Sequence, residues 1–135
     1  LTVDVDEDYY FKPDAGQLLI SPAEETPSEP CDAQPDDIDI AVVVDRLQQV
    51  LDLEVRKINH SWTGLRSFAP DRTFVVGFDP RCSGFFWFAG QGGYGVQAAP
   101  GLADIGAAIM TGNQPILTKQ SFDKLRPLIA PDRFL

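Results

Sequence analysis

The chain has 135 residues, the size of one domain or of part of a larger one. Hydrophobic residues make up 44% of it, which is enough to close a core and excludes disorder throughout. The chain has 11 Lys and Arg and 20 Asp and Glu, which gives a net charge of −9. This charge excludes electrostatic binding to nucleic acid phosphates or to an anionic membrane surface through clustered basic residues. No apolar run approaches the roughly 20 residues of a membrane span, and no signal peptide pattern is visible. We therefore expect a cytoplasmic protein.

Local patterns predict three elements in the first 52 residues. Residues 8–21 are expected to form a hairpin, because Pro13-Asp14-Ala15-Gly16 is a turn signal between two short apolar runs. Residues 21–37 contain four prolines among acidic residues and predict a surface loop. Asp36 and Asp37 are expected to cap a helix. Its apolar stripe is Ile40, Val43, Val44, Leu47, Val50 and Leu51.

The second half alternates strand and turn patterns before a helix. Residues 55–62 alternate with period two and predict a strand. Residues 73–78 and 84–89 predict two more strands, the last apolar on both faces and so buried on both. After residues 90–95, which we call the glycine turn, helical spacing runs to a stop at Gly112. Its apolar positions are Val96, Ala99, Leu102, Ala103, Ile105, Gly106, Ile109 and Met110, and Pro100 is placed in its first turn. Residues 121–135 predict one short helical turn and an extended end.

The glycine turn is the sharpest local feature of the sequence. A buried strand, a Gly-rich turn and a helix of small residues can cradle a phosphate or a cofactor, because backbone N–H groups are reachable and the helix start carries partial positive charge. Gly90, Gly92 and Gly95 satisfy the GxGxxG pattern formally. A dinucleotide fingerprint also needs a following strand and an acid about 20 residues further on. Neither is visible here, so the turn is either a cofactor contact of another kind or a plain link from strand to helix.

Several motifs in fixed order resemble the C-terminal part of the FAD-dependent D-amino-acid oxidase family, which includes glycine and sarcosine oxidases and D-amino-acid dehydrogenases. The resemblance is strongest in residues 64–71, 75–79 and 84–97. The hairpin at residues 10–19 resembles the family's substrate-domain hairpin, and residues 131–134 resemble its usual C-terminus. Nearly the whole chain is therefore covered.

The resemblance implies a fold and a cofactor. The expected fold is α+β: a mostly antiparallel sheet with one packed amphipathic helix and a C-terminal helix after the glycine turn. Residues 1–89 would belong to the substrate domain and residues 90–135 to a flavin-contacting segment. The family's N-terminal βαβ unit is not seen in the sequence, so we expect a fragment of a two-domain FAD oxidoreductase that binds FAD weakly and is inactive alone. The implied FAD contacts are Gly90, Gln91, Gly92, Gly93, Tyr94, Gly95 and Val96.

The implied reaction is hydride transfer from the carbon of a C–N bond, in an amino acid or a secondary amine, to flavin. By resemblance, Arg66 grips the substrate carboxylate, a task that suits a planar guanidinium. The alternative is a structural arginine paired with Asp71. Tyr94 would point toward flavin or substrate, or else fill space. Tyr10 would line the pocket from the hairpin, although core packing is the simpler interpretation.

The remaining histidine, cysteine and aspartate residues of interest are predicted to have structural roles and not catalytic or metal-binding ones. His60 shares the predicted strand face with Trp62 and is expected to be structural. Cys31 and Cys82 stand in unlike surroundings; we expect a reduced pair, with a disulfide as the alternative. The aspartates at 36, 37 and 39 do not have calcium-loop spacing, so no metal site is expected.

A second hypothesis comes from another class of protein. The chain would be a non-catalytic binding module or subunit of the same fold, which associates with itself or with a partner, the missing nucleotide-binding domain or a partner chain. An uncovered apolar face would then form the interface. Its expected members are Phe85, Trp87, Ala99 and Ala103.

Overall fold

In a computed structural model that describes residues 1–135, the chain is α+β, with two small antiparallel sheets and three helices. The predicted fold class is confirmed. The residues divide into two units, Leu1–Leu65 and Arg66–Leu135. These two units are defined by contacts between backbone positions. The separate prediction that residues 1–89 belong to the substrate domain and residues 90–135 contact flavin stays a prediction.

The N-terminal unit begins with a three-stranded sheet in the order β1 (Thr2–Val3), β2 (Tyr10–Asp14), β3 (Gln17–Ser21). The hairpin prediction is confirmed, since Asp14 pairs with Gln17 across a two-residue loop. Ala15 and Gly16 both have positive φ, 47° and 77°, as the tight turns that match strand twist require.

Helix α1 (Asp37–Val50) packs on β3. The predicted cap is confirmed: the carboxylate of Asp36 accepts a hydrogen bond of 2.7 Å from the Ile38 N–H. Val43 and Leu47 are the buried members of the predicted stripe, whereas Val50 at its C-terminal end is exposed. Burial therefore involves the middle turns of the helix only.

The strand predicted at residues 55–62 is wrong, because the chain there has no regular secondary structure. Ile58 is 42% exposed and Trp62 65% exposed, so neither lies against a core. Alternation of residue types favours an extended backbone, but a strand also needs a neighbouring strand to bond, and no strand of either sheet pairs with this segment.

The C-terminal unit is built on a two-stranded hairpin, β4 (Val75–Phe78) and β5 (Phe86–Ala89). Helix α2 (Gly95–Thr111) packs on one face of it. Gly106 permits this approach, because a Cβ there would lie 2.9 Å from the Phe88 ring. The buried core consists of Val76, Leu102, Ile105 and Ile129.

The other face of the hairpin contacts the chain's end. A Cβ on Gly77 would lie 2.9 Å from Cδ of Pro131, which begins a 3-10 helix (Pro131–Phe134). The expectation that the last strand is buried on both faces is wrong, since Phe85 and Phe88 are 47% and 48% exposed. Two short strands have too little width for α2 and the 3-10 helix to cover every aromatic ring.

Helix α2 differs in two respects from its prediction, although its stop is confirmed by Gly112, which has φ 74°. Pro100 is the sixth residue of the helix and not in its first turn, so the ladder lacks the donor that would reach Val96. Four of the predicted apolar positions are exposed and form a second apolar face: Val96, Ala99, Ala103 and Met110.

The prediction for the tail is wrong. Residues 119–129 form an 11-residue helix, α3 (Lys119–Ile129), followed by the 3-10 helix. Thr118 caps α3 by accepting a hydrogen bond of 3.3 Å from the Ser121 N–H. Pro127 lies in its last turn, and Ile129 supplies the contact with the core. No helix of the chain is both long and apolar enough to cross a bilayer.

Candidate functional site

The glycine turn joins β5 to α2. Gly90 and Gly92 have φ of 72° and 52°, a left-handed backbone that a side chain disfavours. Two of its amides bond within the protein: the Gly92 N–H donates to the Ser67 carbonyl at 3.0 Å, and the Tyr94 N–H donates to the Gln91 carbonyl at 3.1 Å. The turn is thus folded on itself and fastened to residue 67.

The start of α2 presents further amides. The first helical bond runs from the Ala98 N–H to the Tyr94 carbonyl at 2.9 Å. The amides of Gly95, Val96 and Gln97 therefore precede the hydrogen-bonded ladder of the helix. They lie at its partially positive end, and no acidic side chain stands in the first turn. This end of the helix suits a group that carries or gains negative charge.

A second segment, residues 66–73, packs against the glycine turn; we call it the Arg66 loop. The Phe68 ring lies over Gly92, where a Cβ would come within 2.5 Å of it. The guanidinium of Arg66 lies beside Gly93, with Nη1 2.9 Å from the place of a Cβ, and 5.5 Å from the Phe68 ring centroid. The guanidinium of Arg72 lies 4.5 Å from the same centroid. Glycine at 92 is thus required by the Phe68 ring as well as by its backbone angle, whereas a Cβ at 93 would meet only the movable end of the Arg66 side chain.

The Arg66 loop is fastened by Arg133 on its other side. Arg133 Nε donates to Asp71 Oδ2 at 2.7 Å, and Nη2 donates to Oδ1 at 3.1 Å. These bonds lower the pKa of Asp71 to about 2. Asp71 thus pairs with Arg133.

The predicted substrate residues fall in both units. Arg66 and Tyr94 come together at the glycine turn, where Tyr94 is 53% exposed. Tyr10 lies half-buried on β2 of the N-terminal unit, opposite Ser21. The roles of all three residues stay predictions.

A cavity of about 310 Å³ opens beside the glycine turn, on the hairpin face opposite α2. Its lining is mostly apolar and includes Phe68, Val75, Trp87, Ala89 and Phe134. Asp79 orders this wall, because it accepts hydrogen bonds from Trp87 Nε1 at 3.0 Å and from the Arg81 N–H at 2.7 Å. These bonds, that of Trp87 first, lower the pKa of Asp79 to about 2.

Sequence reasoning missed three residues that build this region: Phe68, Asp79 and Arg133. Each stands inside a segment that carries the family resemblance. The contacts of Phe68 with Gly92 and of Arg133 with Asp71 join residues far apart in the chain, whereas Asp79 bonds within its own hairpin. Only the glycines at 92 and 93 signalled that something approaches the backbone there.

The other candidate residues take no part in this site. His60 is exposed and stacks on Trp62, with ring centroids 5.4 Å apart and 26° between the planes. Cys31 and Cys82 are free, exposed thiols. No group of three or more His, Cys, Asp or Glu could hold a metal ion.

Comparison with known protein families places these features in context. The family model described as FAD dependent oxidoreductase matches residues 1–109, which include the hairpin, the Arg66 loop, the glycine turn and most of α2. The chain belongs to this family. FAD is therefore the cofactor that the family implies, and the residues present fit part of it: amides at a helix start with no acidic side chain in the first turn suit a group that carries or gains negative charge.

Proposed function

We propose that these 135 residues form the C-terminal, substrate- and flavin-contacting portion of an FAD-dependent oxidoreductase that oxidises the C–N bond of an amino acid or a secondary amine. When bound, FAD supplies the acceptor for the hydride that leaves the carbon next to nitrogen. The observation that carries the proposal is the placement of Arg66 directly beside Gly93, within a segment that matches the FAD dependent oxidoreductase family.

In this proposal Arg66 binds the substrate carboxylate. A guanidinium presents two parallel N–H groups to two carboxylate oxygens, which fixes the orientation of the substrate as well as its position. The Phe68 ring, 5.5 Å from that guanidinium, limits the directions in which Arg66 can turn. Tyr94 and Tyr10 are the further side chains that would contact substrate.

The glycine turn would hold the flavin ring. The contacts would come from Gly90, Gln91, Gly92, Gly93, Tyr94, Gly95 and Val96. The amides of Gly95 and Val96, together with the positive end of α2, would stabilise negative charge that reduction places on the ring. The amides of Gly92 and Tyr94 serve a different purpose, since they hold the turn in shape.

We propose further that the chain by itself binds FAD weakly and turns over no substrate. Both of its sheets are antiparallel, so the described residues contain no βαβ unit to hold the AMP half of FAD. Contacts to the ring alone leave most of the cofactor in water, and binding must still overcome the entropy of association.

The test begins with the visible spectrum of the purified chain, recorded after incubation with excess FAD and removal of what stays free. A colourless protein supports weak binding, whereas stoichiometric flavin absorption contradicts it. The carboxylate role is tested by NMR, following the Gly93 and Tyr94 amides as D-alanine or D-alaninamide is added.

D-Alanine should shift these two amide signals and D-alaninamide, which lacks the carboxylate, should not. Arg66→Met should weaken the D-alanine effect about tenfold or more, since charged hydrogen bonds are worth roughly 1.5–3 kcal/mol. Arg56→Met is the matched control, because Arg56 is an 82% exposed arginine paired with Glu54 in the other unit. Equal binding by the Arg66 and Arg56 variants would contradict the proposed clamp.

The binding-module hypothesis also has an observation in its favour. Ala99 and Ala103 lie on the exposed apolar face of α2, and Phe85 is 47% exposed. Sedimentation of the chain against concentration separates the proposals: a dimer broken by Ala103→Glu supports self-association, and a monomer at every concentration contradicts it.

A further inference from the structure

The side chain of Arg133 donates four hydrogen bonds within the protein. Besides its two bonds to Asp71, its Nη2 donates to the Thr73 carbonyl at 2.9 Å, and its Nη1 donates to the Ala130 carbonyl at 2.9 Å. Its side chain is only 13% exposed, and its guanidinium carbon lies 4.2 Å from the Phe134 ring centroid. The guanidinium therefore has one well-defined position.

These bonds hold the two neighbours of a strained residue. Arg72 lies between Asp71 and Thr73 and has φ 61°, a left-handed angle that is unfavourable for any residue with a Cβ. Its N–H donates to the Ala69 carbonyl at 2.8 Å, which closes a turn inside the Arg66 loop. The strained angle persists because both sides of it are fixed.

The far end of the same loop forms the candidate site. Ser67 accepts the bond from the Gly92 N–H, and the Phe68 ring covers Gly92. A Cβ on Gly90 would lie 3.5 Å from both the Ala69 nitrogen and the Thr73 oxygen, so the loop and the glycine turn are in close contact along their length. A shift of the loop at Thr73 must therefore move Arg66 or break these contacts.

We propose that Arg133 is a positioning residue of the candidate site: by holding Asp71 and Thr73 it fixes the Arg66 loop, and with it the places of Arg66 and Phe68 on the glycine turn. The inference rests on the proposed function in one respect, because the place of Arg66 matters to catalysis only if Arg66 binds substrate. The positioning itself is a property of the chain and is measurable without cofactor or turnover.

The test compares three variants of the full chain by amide hydrogen exchange and by the Nε–H signals of its arginines. Arg133→Met removes all four bonds and keeps much of the side-chain volume. Arg133→Lys keeps the charge and a donor, and Arg126→Met is a matched control in the last turn of α3. We expect the Gly92 and Arg72 amides to exchange at least tenfold faster in Arg133→Met, and the Arg66 Nε–H signal to move.

Arg133→Lys should recover part of this protection, and Arg126→Met should leave all of it. The Leu102 and Ile105 amides in the core should change less than twofold in every variant. The proposal is overturned if Gly92 and the Arg66 signal are unaffected, or if the core amides accelerate as much as Gly92 does, since Arg133 would then support only overall stability.

Should Arg133→Met fail to fold, Asp71→Asn provides the second variant. It removes the charge from the acceptor and keeps its shape, so we expect the same pattern of exchange at smaller amplitude, and no selective effect on Gly92 would overturn the proposal. Failure of the D-alanine test would contradict the function of Arg66 and leave these exchange results standing.

Discussion

Replacement of Gly92 by alanine tests whether the Arg66 loop is seated on the glycine turn as described. The new Cβ would lie 2.5 Å from the Phe68 ring, on a residue whose φ is 52°. The left-handed angle costs about 1–2 kcal/mol for a non-glycine residue, and relieving the contact costs about 1–3 kcal/mol. Gly92→Ala should therefore lower the free energy of unfolding of the C-terminal unit by about 2–5 kcal/mol.

Two other glycines separate these contributions. Gly112→Ala has the same kind of angle, φ 74°, but no atom within 4 Å of the new Cβ, so it should cost about 1–2 kcal/mol. Gly101→Ala, inside α2 and equally open, should stabilise by about 0.5–1 kcal/mol because alanine favours helix.

The assay is urea unfolding followed by tryptophan fluorescence. The chain has two tryptophans, so a Trp62→Phe background leaves Trp87 of β5 to report on the C-terminal unit alone. If Gly92→Ala proves no more destabilising than Gly112→Ala, the Phe68 ring does not lie on Gly92 and the Arg66 loop is not seated on the glycine turn.

Two further predictions concern the hairpin and the N-terminal unit. The pKa of Asp79 lies at about 2, below its ordinary value of 3.8, so the stabilisation from its hydrogen bonds is complete above about pH 4 and is lost as the pH falls through 2. The NMR signal of the Trp87 Nε1–H should therefore titrate between these two pH values. A Trp87 signal that still titrates there in Asp79→Asn would contradict this assignment. Leu47→Ala should lower the free energy of unfolding of the N-terminal unit by about 2–5 kcal/mol, because Leu47 is 1% exposed. The control Val42→Ala, at a 40% exposed position of the same helix, should lower it by less than half as much. Equal losses of the two variants in urea unfolding would refute the packing of α1.

The elements that sequence predicts correctly are those whose signals are local. The hairpin follows from a four-residue turn, and α1 follows from the Asp36 cap and an apolar stripe. The segment at 55–62 shows the limit of such signals: alternation describes one strand, but strand formation depends on a partner elsewhere in the chain. Helix α3 is longer than the short helical turn predicted there, and Pro127 is tolerated because a proline so near the end of a helix removes only one of its bonds.

The candidate site was predicted as a set of residues and not as an arrangement. The glycine turn and Arg66 stand out through composition and family resemblance, and the structure puts them side by side. The pairing of Asp71 with Arg133 could not be foreseen, because periodicity carries no information about contacts between residues 62 positions apart. Helical spacing alone does not tell which side of α2 another element covers; Ala99 and Ala103, which the second hypothesis places on an uncovered face, are exposed.

The same separation has a consequence for how the protein folds. Helices α2 and α3 depend on contacts between near neighbours and can form within microseconds, whereas the Asp71–Arg133 contact requires closing a loop of 62 residues, at about 4 kcal/mol of chain entropy. Most of that loop is already closed once Val76 and Ile129 meet in the core. Formation of the core therefore brings Arg133 near Asp71, so the order of the candidate site depends on the contact that Ile129 makes at the other end of the same segment.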